Sequence, residues 1–426
     1  MTPKAQITRY KSMVSYHLKP FTLFGPSPTP KCCMNRPETE RGLTFDVGDT
    51  FFRQESATGR DLAVLSAAVY KKSHNALRVL DAMCGCGIRS LRYLVEADAD
   101  FVLANDANED CGTIISGNLE KAGRERKRWL VTHSDANRVF AECFLKRDYF
   151  DLIDIDSFGS ESSFLRDAMR AVKLNGLLYL TSTDGFTSGG HRPQHSLAAY
   201  GAYIRPTPYS NEIGLRMLIG GAVREASVLG YHVVPLFSYY SFHGPVFRVM
   251  FQVRRGKLPK NRHYGFISYC TQCGNSREVS WKELGHILCT CSNVPGSLVV
   301  SGPLWTGPLH CATFLAEIRD LAEKWGWISN GTGKNLETLI KLMIDESDPL
   351  LPFGYIKLQE ATSRAKANSP RLDTLLSTLH KEGYGAVRSH IAFNAIKTNC
   401  SMVDCVRIVK QLQHTEDNKF CLPIEA

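Results

Sequence analysis

Residues 79 to 90 read Val-Leu-Asp-Ala-Met-Cys-Gly-Cys-Gly-Ile-Arg-Ser, a stretch that leaves the backbone little choice. An apolar run ending in Asp81, then Gly85 and Gly87, then Ile88, Arg89 and Ser90 predicts a buried strand, a tight turn and a helix. Glycine in that turn lets a ligand approach the backbone where a side chain would block it. Asp106 follows the next apolar run, Phe101 to Ala104, and stands 25 residues after Asp81. A carboxylate there can take both ribose hydroxyls of a nucleotide. Gly-x-Gly alone would equally suit a dinucleotide oxidoreductase. Two details favour S-adenosylmethionine: Asp81 precedes the glycines, and Ser90 stands where a third glycine would be. A buried turn that binds nothing is the simplest alternative.

The surroundings fit the same architecture. Leu62 to Lys72 reads as a helix, and strand candidates follow at Ala76 to Leu80, Phe101 to Ala104, Trp129 to Thr132, Leu152 to Ile155 and Gly176 to Ser182. Helical segments between them predict an α/β, Rossmann-like doubly wound sheet. Tyr231 to Tyr239 and Val246 to Val253, separated by Phe242-His243-Gly244-Pro245, predict an antiparallel pair at its edge. At 426 residues the chain is long enough for more than one core. The run Arg254 to Arg262 holds five basic residues, a Gly and a Pro, and reads as a linker. It could track RNA phosphates, or be a solvated linker. The expected division is 1–40 transit peptide or disordered leader, 41–255 S-adenosylmethionine-binding domain, 256–415 mixed, mostly helical C-terminal domain, and 416–426 tail.

A second constellation, Asp151-Leu152-Ile153-Asp154-Ile155-Asp156-Ser157-Phe158-Gly159, alternates acidic and apolar residues along a strand. It would present Asp156 at the carboxyl edge of the sheet, beside a bound sulfonium methyl. A carboxylate followed by an aromatic ring suits methylation of an exocyclic base amine: the ring stacks on the base and the carboxylate accepts an amine hydrogen bond. Read alone, the same residues are a helix N-cap and a core Phe.

Charge adds less than its total suggests. Of a net +9, the first 37 residues supply six basic groups (Lys4, Arg9, Lys11, Lys19, Lys31, Arg36) and no acid. That basic, hydroxyl-rich, acid-free leader has the composition of an organellar transit peptide, plastid or mitochondrial, and equally of a disordered tail on a nuclear or cytoplasmic protein. No apolar run approaches the roughly 18 to 20 residues that cross a bilayer. Of the 14 cysteines most are scattered core residues, Cys143 and Cys405 among them, whereas Cys270, Cys273, Cys289 and Cys291 cluster. Four thiolates on two turns suit tetrahedral zinc. The tight Cys289-Thr290-Cys291 pair leaves His286 as a substitute ligand, and four reduced thiols without a metal as the alternative.

Taken together these segments resemble the tRNA guanine-26 N(2)-dimethyltransferase family of archaea and eukaryotes, from about Phe51 to about Thr398. Phe51-Phe52-Arg53-Gln54 with Gly59-Arg60-Asp61-Leu62 resembles the family's Phe-Tyr-Asn-Pro and Asn-Arg-Asp-Leu block. Asp81-Ala82 through Gly87-Ile88-Arg89 matches its cofactor loop. Thr181 to Asp184, Gly302 to Trp305 and Arg388-Ser389-His390 through Ile396-Lys397-Thr398 resemble later blocks. The resemblance implies that Arg60 and Arg89 hold the methionyl carboxylate region of S-adenosylmethionine, Asp106 the ribose, and Asp135 with Ala136 the adenine edge. It implies that Phe51 and Phe158 sandwich a flipped guanine of tRNA beside Asp156, and that the cysteines hold a structural zinc. Without it, Arg60 is a helix-surface charge and Asp135 a turn residue. Five positions depart from the family: Ser157 replaces its Pro, Phe52-Arg53-Gln54 its Tyr-Asn-Pro, and Gly59 its Asn. A catalytically silent RNA-binding relative, or a methyltransferase of an exocyclic amine in another nucleic acid, are the competing readings.

Overall fold

The computed structural model describes residues 36–123, 128–256, 263–289, 291, 297–328 and 334–420. The leader up to residue 35, the basic residues Lys257, Lys260 and Arg262, Thr290 and the end of the tail from residue 421 lie outside them. The first ordered element is a hairpin, β1 (Pro37–Glu40) and β2 (Leu43–Asp46), turned by Arg41 and Gly42 at positive φ. Residues 37–40, placed with the leader by composition, therefore belong to the fold. Glu40 is 7% exposed, and its carboxylate is shared by the buried guanidinium groups of Arg60 and Arg92. Buried cations need such a partner, and that distant contact fixes the segment.

The helix expected from Leu62 is longer, α1 (Ala57–His74), and it stops at Asn75 in the left-handed conformation. Strands and helices then alternate: β3 (Arg78–Asp81), α2 (Ile88–Val95), β4 (Phe101–Asn105), α3 (Gly112–Leu119), β5 (Trp129–Thr132), α4 (Ala136–Lys146), β6 (Phe150–Asp156), α5 (Leu165–Ala171) and β7 (Val172–Ser182). After α6 (Gly185–Ser188), α7 (Pro193–Tyr200) and α8 (Ser210–Val228) comes the expected antiparallel pair, β8 (Tyr231–Ser241) and β9 (Val246–Arg255). One seven-stranded sheet results, in the order β5-β4-β3-β6-β7-β9-β8, with β9 antiparallel to both neighbours. The order reverses between β3 and β6, so a crevice opens outside their carboxyl ends. The stretch read as a linker starts as strand: Arg254 and Arg255 pair with His232 and Tyr231. The apolar alternation Val249, Phe251, Val253 carries the ladder past the exposed charges.

Downstream, β10 (Tyr264–Cys270), β11 (Ser276–Val279) and β12 (Leu298–Trp305) form an antiparallel sheet centred on β10. Helices α9 (Ala312–Lys324) and α10 (Lys334–Asp345) follow. Then come β13 (Ile356–Lys357), α11 (Leu358–Ala365), α12 (Leu372–Lys381), β14 (Ala386–Arg388), β15 (Ala395–Thr398) and α13 (Met402–Phe420). The last helix runs five residues into the expected tail. Leu336, Ile340 and Met343 of α10 and Leu372, Leu375 and Leu379 of α12 are buried, with Leu339 and Leu376 half-buried beside them.

Two of the three apolar clusters draw on both sides of residue 256. Leu315, Ile318, Leu336 and Ile340 share a core with Leu62, Leu65 and Val69 of α1. Ile267, Leu304 and Trp305 share one with Leu215 and Ile219 of α8. The third lies within α11, α12, α13 and the small β13-β15-β14 sheet. Cys143 and Cys405 are buried thiols, as expected. Among the described residues no helix is long and apolar enough to cross a membrane.

Candidate active site and metal centre

At the crevice between β3 and β6 lies a cavity of about 870 Å³, within the roughly 300 to 1,000 Å³ of small-molecule sites. Ten of the sequence-predicted residues line it: Phe51, Arg60, Asp81, Gly85, Arg89, Asp106, Asp135, Ala136, Asp156 and Phe158. Gly87 does not. With φ +80 it starts α2, and a Cβ there would meet Ile115 Cγ2 at 3.2 Å, so this glycine serves helix packing.

The floor of the cavity is held by charge. Gly85, at φ +56, donates its N–H to Asp106 Oδ2 at 2.9 Å, and Asn108 donates to Oδ1 at 3.0 Å. The acid expected to take ribose hydroxyls thus also ties the glycine turn to the end of β4. Each carboxylate oxygen keeps capacity for a further hydrogen bond, and Asp106 lines the cavity. Asp135 caps α4 by accepting the N–H groups of Asn137 and Arg138, which fixes its place beside Ala136. Asp81 is buried under the turn and accepts from Ser90 Oγ at 2.7 Å. Burial and the neighbouring Asp154 push it up to about 8.

Arg60 is 5% exposed and not a helix-surface charge: its Nε lies 3.0 Å from Glu40, and Nη2 reaches the Arg53 carbonyl at 2.9 Å. Arg89 donates to Asp154 at 2.6 Å and to Asp156. Partial burial works to raise the Asp156 carboxyl, but the guanidinium groups of Arg89 and then Arg248 outweigh it and hold Asp156 below the usual carboxylate range. Asp156 is therefore an ionised acceptor at neutral pH.

The turn after it is pinned without proline. Ser157 Oγ donates to the Thr181 carbonyl at 3.1 Å, Gly159 N–H to Thr183 Oγ1 at 2.7 Å, and Thr183 N–H back to the Gly159 carbonyl at 2.8 Å. Phe158 is thereby presented at the mouth, 73% exposed, against Phe51 at 59%. Their rings touch edge to face with centroids 4.9 Å apart. A base between them needs a gap of about 7 Å, two stacking separations. These rings must part to admit it.

Sequence reasoning missed Arg248, which lines the same cavity at 2% exposure. Its signal was a lone charge inside the apolar strand Val246-Phe247-Arg248-Val249-Met250-Phe251. It also missed Asn105, whose side chain bridges the Ala82 and Ser134 carbonyls and the Ser134 N–H, joining the turn to the loop before Asp135.

The four clustered cysteines meet at the β10–β11 turn and the segment leading to β12. All four Sγ atoms lie within 4.8 Å of one another, with Cys270–Cys291 and Cys273–Cys289 at 3.6 Å and Cys289–Cys291 at 3.3 Å. Tetrahedral zinc with 2.3 Å bonds sets sulfurs about 3.8 Å apart, so the donors fit the metal. At Cys270, burial is outweighed by the backbone amides of Cys273 and Gln272 and by the other thiols, bringing the group down to about 6. His286 is exposed and outside the cluster, so the substitute ligand is not needed. Arg364 of α11 braces the knuckle through the Gln272 and Thr271 carbonyls.

A second buried group is His310, Glu346 and His390. Here Ser238 N–H points at His310 Nδ1 at 3.3 Å, so the ring proton sits on Nε2, toward Glu346 Oε2 3.7 Å away. Metal ligands place their second ring proton the other way, and this trio reads as a buried polar staple.

The chain matches known proteins over most of its length. It is 29% identical to the tRNA (guanine(26)-N(2))-dimethyltransferase of Pyrococcus abyssi over 365 residues, which cover 82% of this chain and 89% of that one. To the enzyme of the same name from Thermococcus kodakarensis it is 29% identical over 394 residues, 88% of this chain and 96% of the other. The solved structure of Trm1 from Pyrococcus horikoshii with S-adenosyl-L-methionine superposes with a TM-score of 0.75 at 25% identity, covering 88% of this chain and all of that one. Residues 35–410 match the family description N2,N2-dimethylguanosine tRNA methyltransferase, and the chain belongs to that family.

Proposed function

We propose that this chain uses S-adenosylmethionine to methylate the exocyclic N2 amine of guanosine 26 in tRNA, once and then again. The observation that carries the reading is the ionised Asp156 beside two exposed phenylalanines, at the mouth of a cavity floored by the Gly85 turn. When bound, S-adenosylmethionine supplies an electrophilic methyl on a sulfonium sulfur. Asp106 takes the ribose hydroxyls, Asp135 and Ala136 bound the adenine, and the Arg60 and Arg89 guanidinium groups lie along the methionyl end. Phe51 and Phe158 hold the flipped guanine flat and exclude water from its faces. Asp156 accepts an N2–H hydrogen bond, turning the amine lone pair toward the methyl carbon, and then receives the proton that nitrogen loses once the new N–C bond forms and the C–S bond breaks. Most of the acceleration comes from alignment, because the sulfonium is already a good leaving group.

The region after residue 256 grips the tRNA body, its knuckle held by a structural zinc that takes no part in the chemistry. Residues 1–36 direct the protein to an organelle. Fused to a fluorescent reporter, they should send it to a plastid or mitochondrion, and a diffuse cytosolic or nuclear reporter would overturn that assignment. The main reading is tested with methyl-labelled cofactor and unmodified tRNA. Label should enter tRNA with the purified chain, and no incorporation would leave the silent-relative reading standing.

A further inference from the structure

Three buried guanidinium groups face the cavity, and they differ in one respect. Arg60 is paired with Glu40, and Arg89 with Asp154 and Asp156. Arg248 has no carboxylate at ion-pair distance among the described residues, although its charge acts on Asp156. Its Nη2 lies 3.3 Å from Ser56 Oγ, while Nε and Nη1 are buried with no hydrogen-bond partner. Three guanidinium N–H groups, one on Nε and two on Nη1, are thus buried and unpaired, a cost that a ligand acceptor would recover. Space has been kept for this side chain. A Cβ on Gly59 would meet Arg248 Nε at 2.9 Å and Cδ at 3.0 Å, so the glycine that stands where the family block has Asn is what lets the guanidinium lie against α1.

Its position along the sheet edge indicates which ligand it serves. Asp156 of β6 is opposite Thr181 of β7, and Thr181 is opposite Arg248 of β9. The residues assigned to the cofactor's nucleoside run the other way, from Gly85 after β3 to Asp106 after β4 and Asp135 after β5. At the backbone Asp156 stands between those nucleoside residues and β9, two strands or about 10 Å away, and the Arg248 guanidinium lies against α1 at Gly59 and Ser56, where its charge reaches Asp156. A guanine whose N2–H meets Asp156 presents its other Watson–Crick substituent, the O6 carbonyl, further along the same edge. We propose that Arg248 is the specificity residue of this site, donating from its guanidinium to O6 of the target guanine while Asp156 accepts from N2. This rests on the reading of the site as a guanine N2 methyltransferase.

The test compares tRNA carrying guanine with tRNA carrying 2-aminopurine at the target position, which keeps the 2-amine but lacks O6. For the wild type, removing O6 should lower kcat/KM about 10- to 100-fold, the discrimination of a good arginine–base contact. In Arg248→Gln the guanine rate should fall to near the 2-aminopurine rate, bringing the two substrates within about twofold, and Arg248→Lys should lie between. Gly59→Ala, which displaces Arg248 without entering the cavity, should also narrow the ratio. S-adenosylmethionine affinity by calorimetry should stay unchanged in all three variants, which also reports that they fold. Variants that discriminate like the wild type would overturn the proposal, and so would a loss of cofactor affinity, which would assign Arg248 to the cofactor carboxylate instead. A wild type inactive on guanine tRNA would instead refute the functional reading beneath it.

Discussion

Asp156→Asn is the perturbation that best separates chemistry from architecture. The side chain is one of two carboxylates on Arg89, and the other, Asp154, stays 2.6 Å from that guanidinium and is also held by Tyr93 at 2.8 Å. Removing the Asp156 charge therefore does not strand Arg89 in the interior, and Asp156 is itself one third exposed, at 34%. The cost to the fold should stay near the 1 kcal/mol of an ordinary substitution. Asn keeps one acceptor oxygen, so the base can still dock, but it cannot hold the positive charge that develops on the amine or take its proton. Loss of such a positioned base typically costs about 10²- to 10⁴-fold, or roughly 3 to 5 kcal/mol of transition-state stabilisation. Single-turnover methyl transfer should fall by that factor, while S-adenosylmethionine affinity by calorimetry changes by less than about 1 kcal/mol. An equal fall in both would refute the assignment and make Asp156 a strut for Arg89.

Asp106→Ala should act in the opposite sense: it removes a ribose acceptor worth roughly 1.5 to 3 kcal/mol, about 10- to 150-fold in affinity, and frees the Gly85 N–H as well. Unchanged cofactor affinity would place the nucleotide elsewhere. Cys273→Ser should release one zinc per chain by elemental analysis while the Gly85 cavity still binds cofactor, and purified wild type without zinc would end the metal assignment. Burial lowers His310 from 6.5 to about 4, so the unfolded chain takes up the proton first. Stability is thus complete above pH 6.5 and lost as pH falls toward 4, by up to about 3 kcal/mol. Glu346, held low against burial by His390 and His310 with Lys397 near, adds loss in the same direction at lower pH. Urea midpoints should fall across that range and fall less in His310→Gln, and equal slopes in both proteins would show that His310 is not the titrating group.

What the sequence revealed were features whose cause is local. The order of strands follows from apolar runs alternating with helical stretches, and Gly85 and Asp156 stand out because turns and strand ends restrict residue type. What it hid depends on contacts far apart in the chain. Nothing near Glu40 says that it pairs with Arg60 and Arg92, so a strand was read as leader. That Ser157 in place of the family's Pro still gives a pinned turn is not visible in the sequence, because its hydrogen bond to Thr181, and that of Gly159 to Thr183, cross from β6 to the end of β7. Arg248 stands out in the sequence only as a lone charge in an apolar strand and Gly59 only as a departure from the family's Asn, and the contact of β9 with α1 shows that one makes room for the other.

The central claim is that this site methylates a guanine amine in tRNA, and nucleoside analysis tests it most directly. Unmodified tRNA incubated with the full chain and S-adenosylmethionine should yield N2-methylguanosine and then N2,N2-dimethylguanosine, and both should vanish when nucleotide 26 is changed to adenosine. Methyl groups on an adenine or cytosine amine, or methylated guanosine that persists without guanosine 26, would contradict it.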